Sequence, residues 1–427
     1  MANKLSSGRK TLLVNTIMLY IMQFSTTLMS FIIIPKQTQI LGDALYGGYI
    51  EASVAIIAYF RIVIDFGFIQ SATEKITKNR EDKKEIGRIL SSVVACKLFL
   101  IAISLAVLIA LCSFIPAWGS KKYILLLYFG AETLASMTPD FLYRGLEKMS
   151  AITYRTVIIR ALFMIAILIF FNEPADIWMV PGFTLLGNGI AMLFAYIHVY
   201  KKLGIGFVRI PVIRVLKEYA YSFQFFFSNF ATMAYTSLNI LLLDIITVSG
   251  GATGHYGAAN RLITAGRNAL MPISESMYPY MAQNRDFKLV KKMLLTLEPI
   301  IIAGCAVIYI LAVPFCKWYF GPEFANAGYV LRAMLPMAII TLPNFILGFP
   351  TMTAMGKTKH VNYSNIIGSV FHILLLSVLY FMGFLTKEKA LLSLAWSVSA
   401  TEFVILIYRL AVIYKFRYLM QGNKENV

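Results

Sequence analysis

The sequence predicts an all-α polytopic membrane protein, with about twelve transmembrane helices in two pseudo-symmetric six-helix bundles around a central cavity. Three observations predict it. Of the 427 residues, 59% are apolar and 14% charged, against roughly a half and a quarter in soluble globular chains. Lysine and arginine alternate, loop by loop, between rich and poor. The second half repeats features of the first at a shift of 210 residues.

The first span is expected over 12–34. A basic segment from Met1 to Lys10 precedes it. The run from Leu12 to Ile34 is too long for a signal-peptide core and lacks a small-residue cleavage site, so it reads as a retained helix. The second span, 45–70, starts at Tyr46-Gly47 and carries Glu51, Arg61 and Asp65 among apolar residues. Thr73 to Arg88 is a solvated turn of mixed charge, and 89–114, with Lys97, follows it. Spans 122–142, 150–171 and 178–200 complete the first bundle, residues 1–200. The basic segment 201–218 is expected to be a cytoplasmic linker. The second bundle, 219–427, holds spans 219–247, 255–281, 294–316, 327–351, 361–383 and 390–413 and a short tail. Each run is long enough for a hydrocarbon core of about 30 Å. Each must be a helix, because backbone polar groups inside a bilayer have to be satisfied within the segment.

Several function classes fall away. The net charge of +18 sits beside apolar spans and not on one soluble face, so it does not point to nucleic acid. No P-loop pattern is present, and the outer loops are too short to carry a soluble catalytic domain. Cys96, Cys112, Cys305 and Cys316 lie in apolar runs without metal-ligand spacing and read as packing residues. No metal or cofactor is expected.

The termini and even-numbered loops hold 25 Lys and Arg, and the odd-numbered loops hold six: Lys36, Lys121, Lys122, Lys317, Lys387 and Lys389. The positive-inside rule then places both termini in the cytoplasm. The 210-residue shift lays Tyr46-Gly47 on Tyr256-Gly257, Asp65 on Glu275, Ala72 on Ala282, and Glu51 on Arg261 with opposite sign. Six helices separate the copies, which makes this a parallel repeat.

Eight basic residues remain within spans: Arg61, Lys97, Arg155, Arg160, Arg261, Arg267, Arg332 and Arg409. Intramembrane charge is costly, so such groups pair, snorkel or face water. Arg332 and Arg409 lie near helix ends and read as snorkelling anchors; Arg155 is ambiguous. Glu51 and Arg61 each fall within about 40° of Asp65 on a helical wheel, one polar stripe. Arg61 with Asp65 also has the i,i+4 spacing of a structural ion pair. Among deep groups, the bases Arg61, Lys97, Arg160, Arg261 and Arg267 outnumber the acids Asp65, Asp244 and Glu275. Such a cavity suits an anionic passenger, above all a phosphate. Gln23, Gln224, Asn229 and Asn239 interleave with Tyr20, Tyr221, Phe225 and Tyr235 on helices 1 and 7. That pattern fits a carbohydrate groove or ordinary interhelical bonding.

Gly42-Asp43-Ala44-Leu45-Tyr46-Gly47-Gly48-Tyr49, Asp65-Phe66-Gly67-Phe68 and Ala72-Thr73-Glu74-Lys75-Ile76 resemble the opening of polysaccharide biosynthesis exporters. So do Phe141 to Met149, Gly254-His255-Tyr256-Gly257-Ala258-Ala259 and Ala354 to Lys359. The chain thus resembles, nearly end to end, the O-antigen flippases of the multidrug/oligosaccharidyl-lipid/polysaccharide exporter superfamily. The resemblance implies a bacterial inner-membrane transporter, not an enzyme. Its substrate would be an undecaprenyl-pyrophosphate-linked O-unit, carried from the cytoplasmic to the periplasmic leaflet by alternating access and coupled to an ion gradient. It also implies a cationic lumen, membrane lipid around the chain, and polymerase and chain-length proteins as partners. Asp65, Asp244 and Glu275 are the acids considered for ion coupling or pairing. A drug/cation antiporter of the same superfamily, or a polymerase of the same pathway, are the alternatives.

Overall fold

A computed structural model describes residues 2–247, 250–386 and 389–420. Lys387 and Lys424, two of the counted basic residues, lie outside these, as do the side chains of Lys4, Arg9, Lys10, Tyr235 and Ala282. Among the described residues all regular structure is helical.

Helix α1 (Ala2–Leu45) contains Pro35 and turns at Gly42, whose φ of +69° suits only glycine. A π-helical turn, Tyr46–Glu51, joins it to α2 (Ala52–Asp65). Phe66 and Gly67, both with positive φ, break the chain before α3 (Phe68–Lys78). The Asp82 carboxylate caps α4 (Lys83–Phe114) by accepting the N–H groups of Lys84 and Glu85. Short α5 (Pro116–Gly119) leads into α6 (Lys122–Met137), and α7 (Asp140–Gly145), α8 (Met149–Phe170) and α9 (Met179–His198) follow. After residues 204–211, which carry no regular structure, come α10 (Val212–Thr236), α11 (Leu238–Ile246) and α12 (Gly251–Asn284). Asp286 caps α13 (Phe287–Phe320) as Asp82 caps α4. The chain ends with α14 (Ala325–Leu347), α15 (Phe349–Ala354), α16 (Lys359–Phe381) and α17 (Ala390–Lys415). The order long, short, long in α6–α7–α8 returns in α14–α15–α16, and Met149 shifted by 210 falls on Lys359, where α16 begins.

Among the described residues, eight helical runs are long and apolar enough to cross a membrane. The expected twelve spans differ from them for local reasons. Tyr20–Lys78 forms one run where 12–34 and 45–70 were separate, because helix continues past Pro35 to the kink at Gly42 and resumes beyond it with no intervening loop. Thr138-Pro139 ends α6 after 16 residues, inside the expected 122–142. Span 219–247 divides at Ser237. Helix α12 is long but carries Arg261, Arg267 and Glu275. Spans 150–171, 361–383 and 390–413 match α8, α16 and α17 closely.

By contact the chain forms two units: Met1–Leu41 with Ala52–Phe230, and Gly42–Glu51 with Ala231–Val427. In the first, Phe68, Leu90, Phe141, Tyr143 and Val199 share a core. The segment 201–218 is fastened to this unit: the Ser91 hydroxyl accepts the Val208 N–H at 2.9 Å. Just beyond it, the Tyr219 hydroxyl donates to the Cys96 carbonyl at 2.7 Å. In the second unit, Met277, Met281, Leu342, Ile346 and Ala354 pack together. The decapeptide Gly42–Glu51 sits in this unit against the start of α12, so closely that a Cβ on Gly47 would lie 2.0 Å from the Gly250 carbonyl oxygen. Large apolar side chains such as Phe99, Leu162, Ile310 and Trp396 are exposed. In water such faces would drive association, whereas in a bilayer they meet lipid.

Candidate functional site

In the first unit, four helices bring charge together inside an apolar setting. Arg61 and Asp65 stand one turn apart on α2, Glu132 and Ser136 one turn apart on α6, and Lys97 comes from α4. Lys97, almost wholly buried, donates to Asp65 Oδ1 at 2.9 Å and to the Ser136 carbonyl and hydroxyl. The Ser136 hydroxyl in turn donates to Asp65. Arg61 contacts Asp65 at 3.5 Å, as its i,i+4 spacing predicts, and binds Glu132 more closely, at 2.6 Å. Arg160 on α8 lies within electrostatic reach of Glu132 and Arg61. It makes no ion pair among the described residues and is exposed. Three bases and two acids leave the cluster one charge positive. Lys97 is held by the structure, while Arg61 and Arg160 are exposed.

Glu132 is absent from the deep acids read from the sequence. Its signal was available: a carboxylate within the apolar run 122–142.

In the second unit, Arg261 binds Glu51, which also accepts from the Tyr46 hydroxyl. The two ends of this pair are the residues the 210-residue shift superposes. Glu51 does not share a stripe with Arg61 and Asp65. The π-helical turn inserts extra backbone and changes the phase of the wheel, so Glu51 is buried beside α12 instead.

A cavity of about 650 Å³ lies within the second unit. Arg267 and Glu275 reach it from α12, Asn344 from α14, Asn365 from α16, and Glu402 and Arg409 from α17. Arg267 binds Glu402 at 2.7 Å, and the Asn344 amide donates to the other Glu402 oxygen at 2.8 Å. Arg409 is not a snorkelling anchor. It is buried, donating to the Asn344 carbonyl, the Ser364 hydroxyl and Asn365. Nearby polar partners hold it in, at a depth where the side chain alone was expected to reach for the interface. Glu402 and Asn344 were also missed, being single polar residues in long apolar runs.

Asp244 is buried on α11 and does not line this cavity, nor does Arg261. Asn239 is interhelical bonding and not part of a groove. Its amide donates to the Tyr256 hydroxyl and the Leu394 carbonyl, and its oxygen meets His372. The sequence candidates therefore fall into four places: Arg61, Asp65, Lys97 and Arg160 in the first unit, Arg267 and Glu275 at the cavity, Arg261 with Glu51, and Asp244 buried on α11.

A family model described as "Polysaccharide biosynthesis protein" matches residues 12–285. A protein of Escherichia coli (strain K12) that carries the provisional name O-antigen transporter is 25% identical over 382 residues, covering 88% of this chain and 90% of its own. One from Shigella dysenteriae with the same provisional name is 23% identical over 411 residues, covering 93% and 99%. In fold, the chain is similar to the lipid II flippase MurJ in an inward closed conformation, with a TM-score of 0.73 at 13% identity over 96% of this chain and 90% of that one. It is also similar to an inward-facing multidrug resistance MATE family transporter of the MOP superfamily, with a TM-score of 0.72 at 13% identity over 95% and 99%. At that identity these two likenesses bear on the fold alone.

Proposed function

We propose that this chain, which belongs to the polysaccharide biosynthesis protein family, is a flippase that moves a lipid-linked oligosaccharide, the O-antigen repeat unit, across the bacterial inner membrane. The observation that carries the reading is the net positive cluster of Arg61, Lys97 and Arg160 inside an apolar helical unit. Two relatives named for O-antigen transport and the fold shared with a lipid II flippase support it.

The pyrophosphate enters from the cytoplasmic leaflet and meets the Arg61 and Arg160 guanidinium groups, whose planar donors replace its hydration. Arg61 exchanges Glu132 for a phosphate oxygen, so one carboxylate is released as the ligand binds. The lipid tail remains in the bilayer. The helices then reopen toward the periplasm, with no bond made or broken. The alternation of basic loops supports cytoplasmic termini and hence this direction. An ion gradient drives the cycle through Asp65, Asp244 or Glu275. A polymerase and chain-length proteins receive the product.

Arg61→Ala and Arg160→Ala should each lower O-antigen transport while leaving the protein in the membrane. Loss of one charge-assisted contact, about 1.5–3 kcal/mol, predicts a roughly tenfold to hundredfold slower rate. Full O-antigen assembly in both variants at normal expression would end the cationic-site reading. A deletion should accumulate single lipid-linked units on the inner leaflet; units on the outer leaflet would point to a polymerase. The multidrug-transporter likeness favours a second reading, a drug/cation antiporter, and that reading predicts that the deletion strain becomes sensitive to cationic dyes.

A further inference from the structure

Helix α13 carries an acid that the transport reading does not use. Glu298 stands inside the expected span 294–316, about 9 Å along the helix axis beyond Lys292. On one side of it, Leu294, Leu297 and Ile301 pack against the core of the second unit. On the other, Leu295, Ile300 and Ile302 are exposed, as side chains that meet lipid would be. Glu298 is half-buried at the border between the two. Its Oε2 is buried with no hydrogen-bond partner, and the residue makes no ion pair among the described residues.

The surroundings supply no counter-charge. Toward this core α12 turns Met277 and Met281, α14 Leu342 and Ile346, and α17 Leu406 and Ile413. The arginines of those helices are engaged elsewhere. Arg261 binds Glu51, Arg267 binds Glu402, Arg332 donates to the Tyr309 and Ile310 carbonyls, and Arg409 to Asn344, Ser364 and Asn365. Their acids, Glu275 and Glu402, line the cavity. On α13 itself, Lys291 and Lys292 are exposed, and the titratable neighbour on the far side is the buried Cys305 thiol. An ionised carboxylate with an unsolvated oxygen and no counter-charge is costly, and one proton removes the charge. Other acids in apolar helices are placed differently. Asp65 receives Lys97, Arg61 and Ser136, Glu51 receives Arg261 and Tyr46, and Glu402 receives Arg267 and Asn344. A proton arriving at any of these competes with a bound base. Pro299 adds a second observation. It has no N–H to offer the Leu295 carbonyl, so α13 lacks a rung beside this acid, where it is least braced.

We infer that Glu298 is a proton-binding site, the group that takes and releases the proton of the transport cycle. The inference rests on the flippase reading and deepens its ion-coupled step: the ion is a proton, and its carrier lies outside Asp65, Asp244 and Glu275. With the proton on, the neutral carboxyl suits the apolar border of α13. With it off, the carboxylate draws that border toward water. The proton comes from water and returns to it, and no bond other than O–H is made or broken.

The test uses the full chain in lipid nanodiscs and dicyclohexylcarbodiimide, an apolar reagent that adds to protonated carboxyl groups. Peptide mass spectrometry locates the modified acids. Glu298 should be modified at about pH 6 and several-fold less at about pH 9. Ordinary surface carboxylates are ionised across that range and should stay unmodified. Exchanging sodium for potassium at fixed pH should change nothing. Glu298→Gln, fixed in the neutral state, leaves no partner unpaired. It should reach the membrane in normal amount and accumulate lipid-linked units on the inner leaflet. Glu298→Asp keeps a titratable group and should restore part of the transport. Absence of modification, modification that ignores pH, or protection by sodium overturns the proton site. Wild-type O-antigen assembly by Glu298→Gln overturns its part in transport. The labelling is read on the unsubstituted chain, so it decides even where a variant fails to assemble. A Glu298 that titrates, in a protein whose deletion leaves units on the outer leaflet, keeps the proton site and removes the flippase reading.

Discussion

Lys97 and Arg160 both place a positive charge inside a predicted span, and the structure gives them opposite roles. Lys97 is engaged on every side, by Asp65 and by both Ser136 oxygens. Removing it leaves Asp65 short of its buried partner. Lys97→Met should therefore cost about 3–5 kcal/mol, the usual penalty for breaking a buried pair. Lys97→Met with Asp65→Asn removes both charges, leaves Arg61 with Glu132, and should recover most of the loss. Thermal unfolding of the purified protein in detergent checks both; a double variant no more stable than the single one contradicts the pairing. Arg160→Ala breaks no ion pair among the described residues and should change stability by about 0.5 kcal/mol or less, so its transport defect would be separable from folding. Sequence position alone does not separate these cases. Depth was legible for both residues, but partner identity was not, because Glu132 and Ser136 lie more than thirty residues away from Lys97 and Arg61 on another helix.

At the scale of elements, neither helix ends nor helix interruptions were fully legible. The stretch 73–88, expected as a solvated turn, holds the end of α3 at Lys78 and the start of α4 at Lys83, and α13 begins at Phe287, ahead of the expected 294; the carboxylates of Asp82 and Asp286 cap these two starts. The π-helical turn at Tyr46–Glu51 was not legible, since nothing in hydrophobic periodicity marks one inserted residue, and it misdirected Glu51. Glycine explains why the turn can dock. A Cβ on Gly47 would sit 2.0 Å from the Gly250 carbonyl oxygen and 2.2 Å from the Gly254 nitrogen, both rigid backbone. At the adjacent Gly48 the nearest atom would be 3.5 Å away, an ordinary contact. Gly47→Ala should therefore displace the decapeptide, weaken the Glu51–Arg261 pair and reduce both membrane yield and O-antigen. Gly48→Ala should be close to neutral. Equal yields of the two variants on a membrane immunoblot would contradict this packing.

For the whole molecule, orientation is what turns a set of charged helices into a direction of transport. The 25-to-6 division of Lys and Arg is decided largely by short connections, where the positive-inside rule is strongest. Structure sharpens where to test it. Helices α16 and α17 are joined by a turn through Gly383, and α17 runs on to Lys415 before a short helical turn at Arg417–Met420. One apolar run of 26 residues thus separates two accessible fusion points. Alkaline phosphatase folds only in an oxidising compartment, so fused after Phe384 it should be active and fused after Tyr418 inactive. A fluorescent protein that matures in the cytoplasm should give the reverse pattern. If the Tyr418 fusion carried the phosphatase activity, the basic loops would face the periplasm. The pyrophosphate would then reach Arg61 and Arg160 from the wrong side, and inner-to-outer flipping would fail even with every residue of the cluster in place.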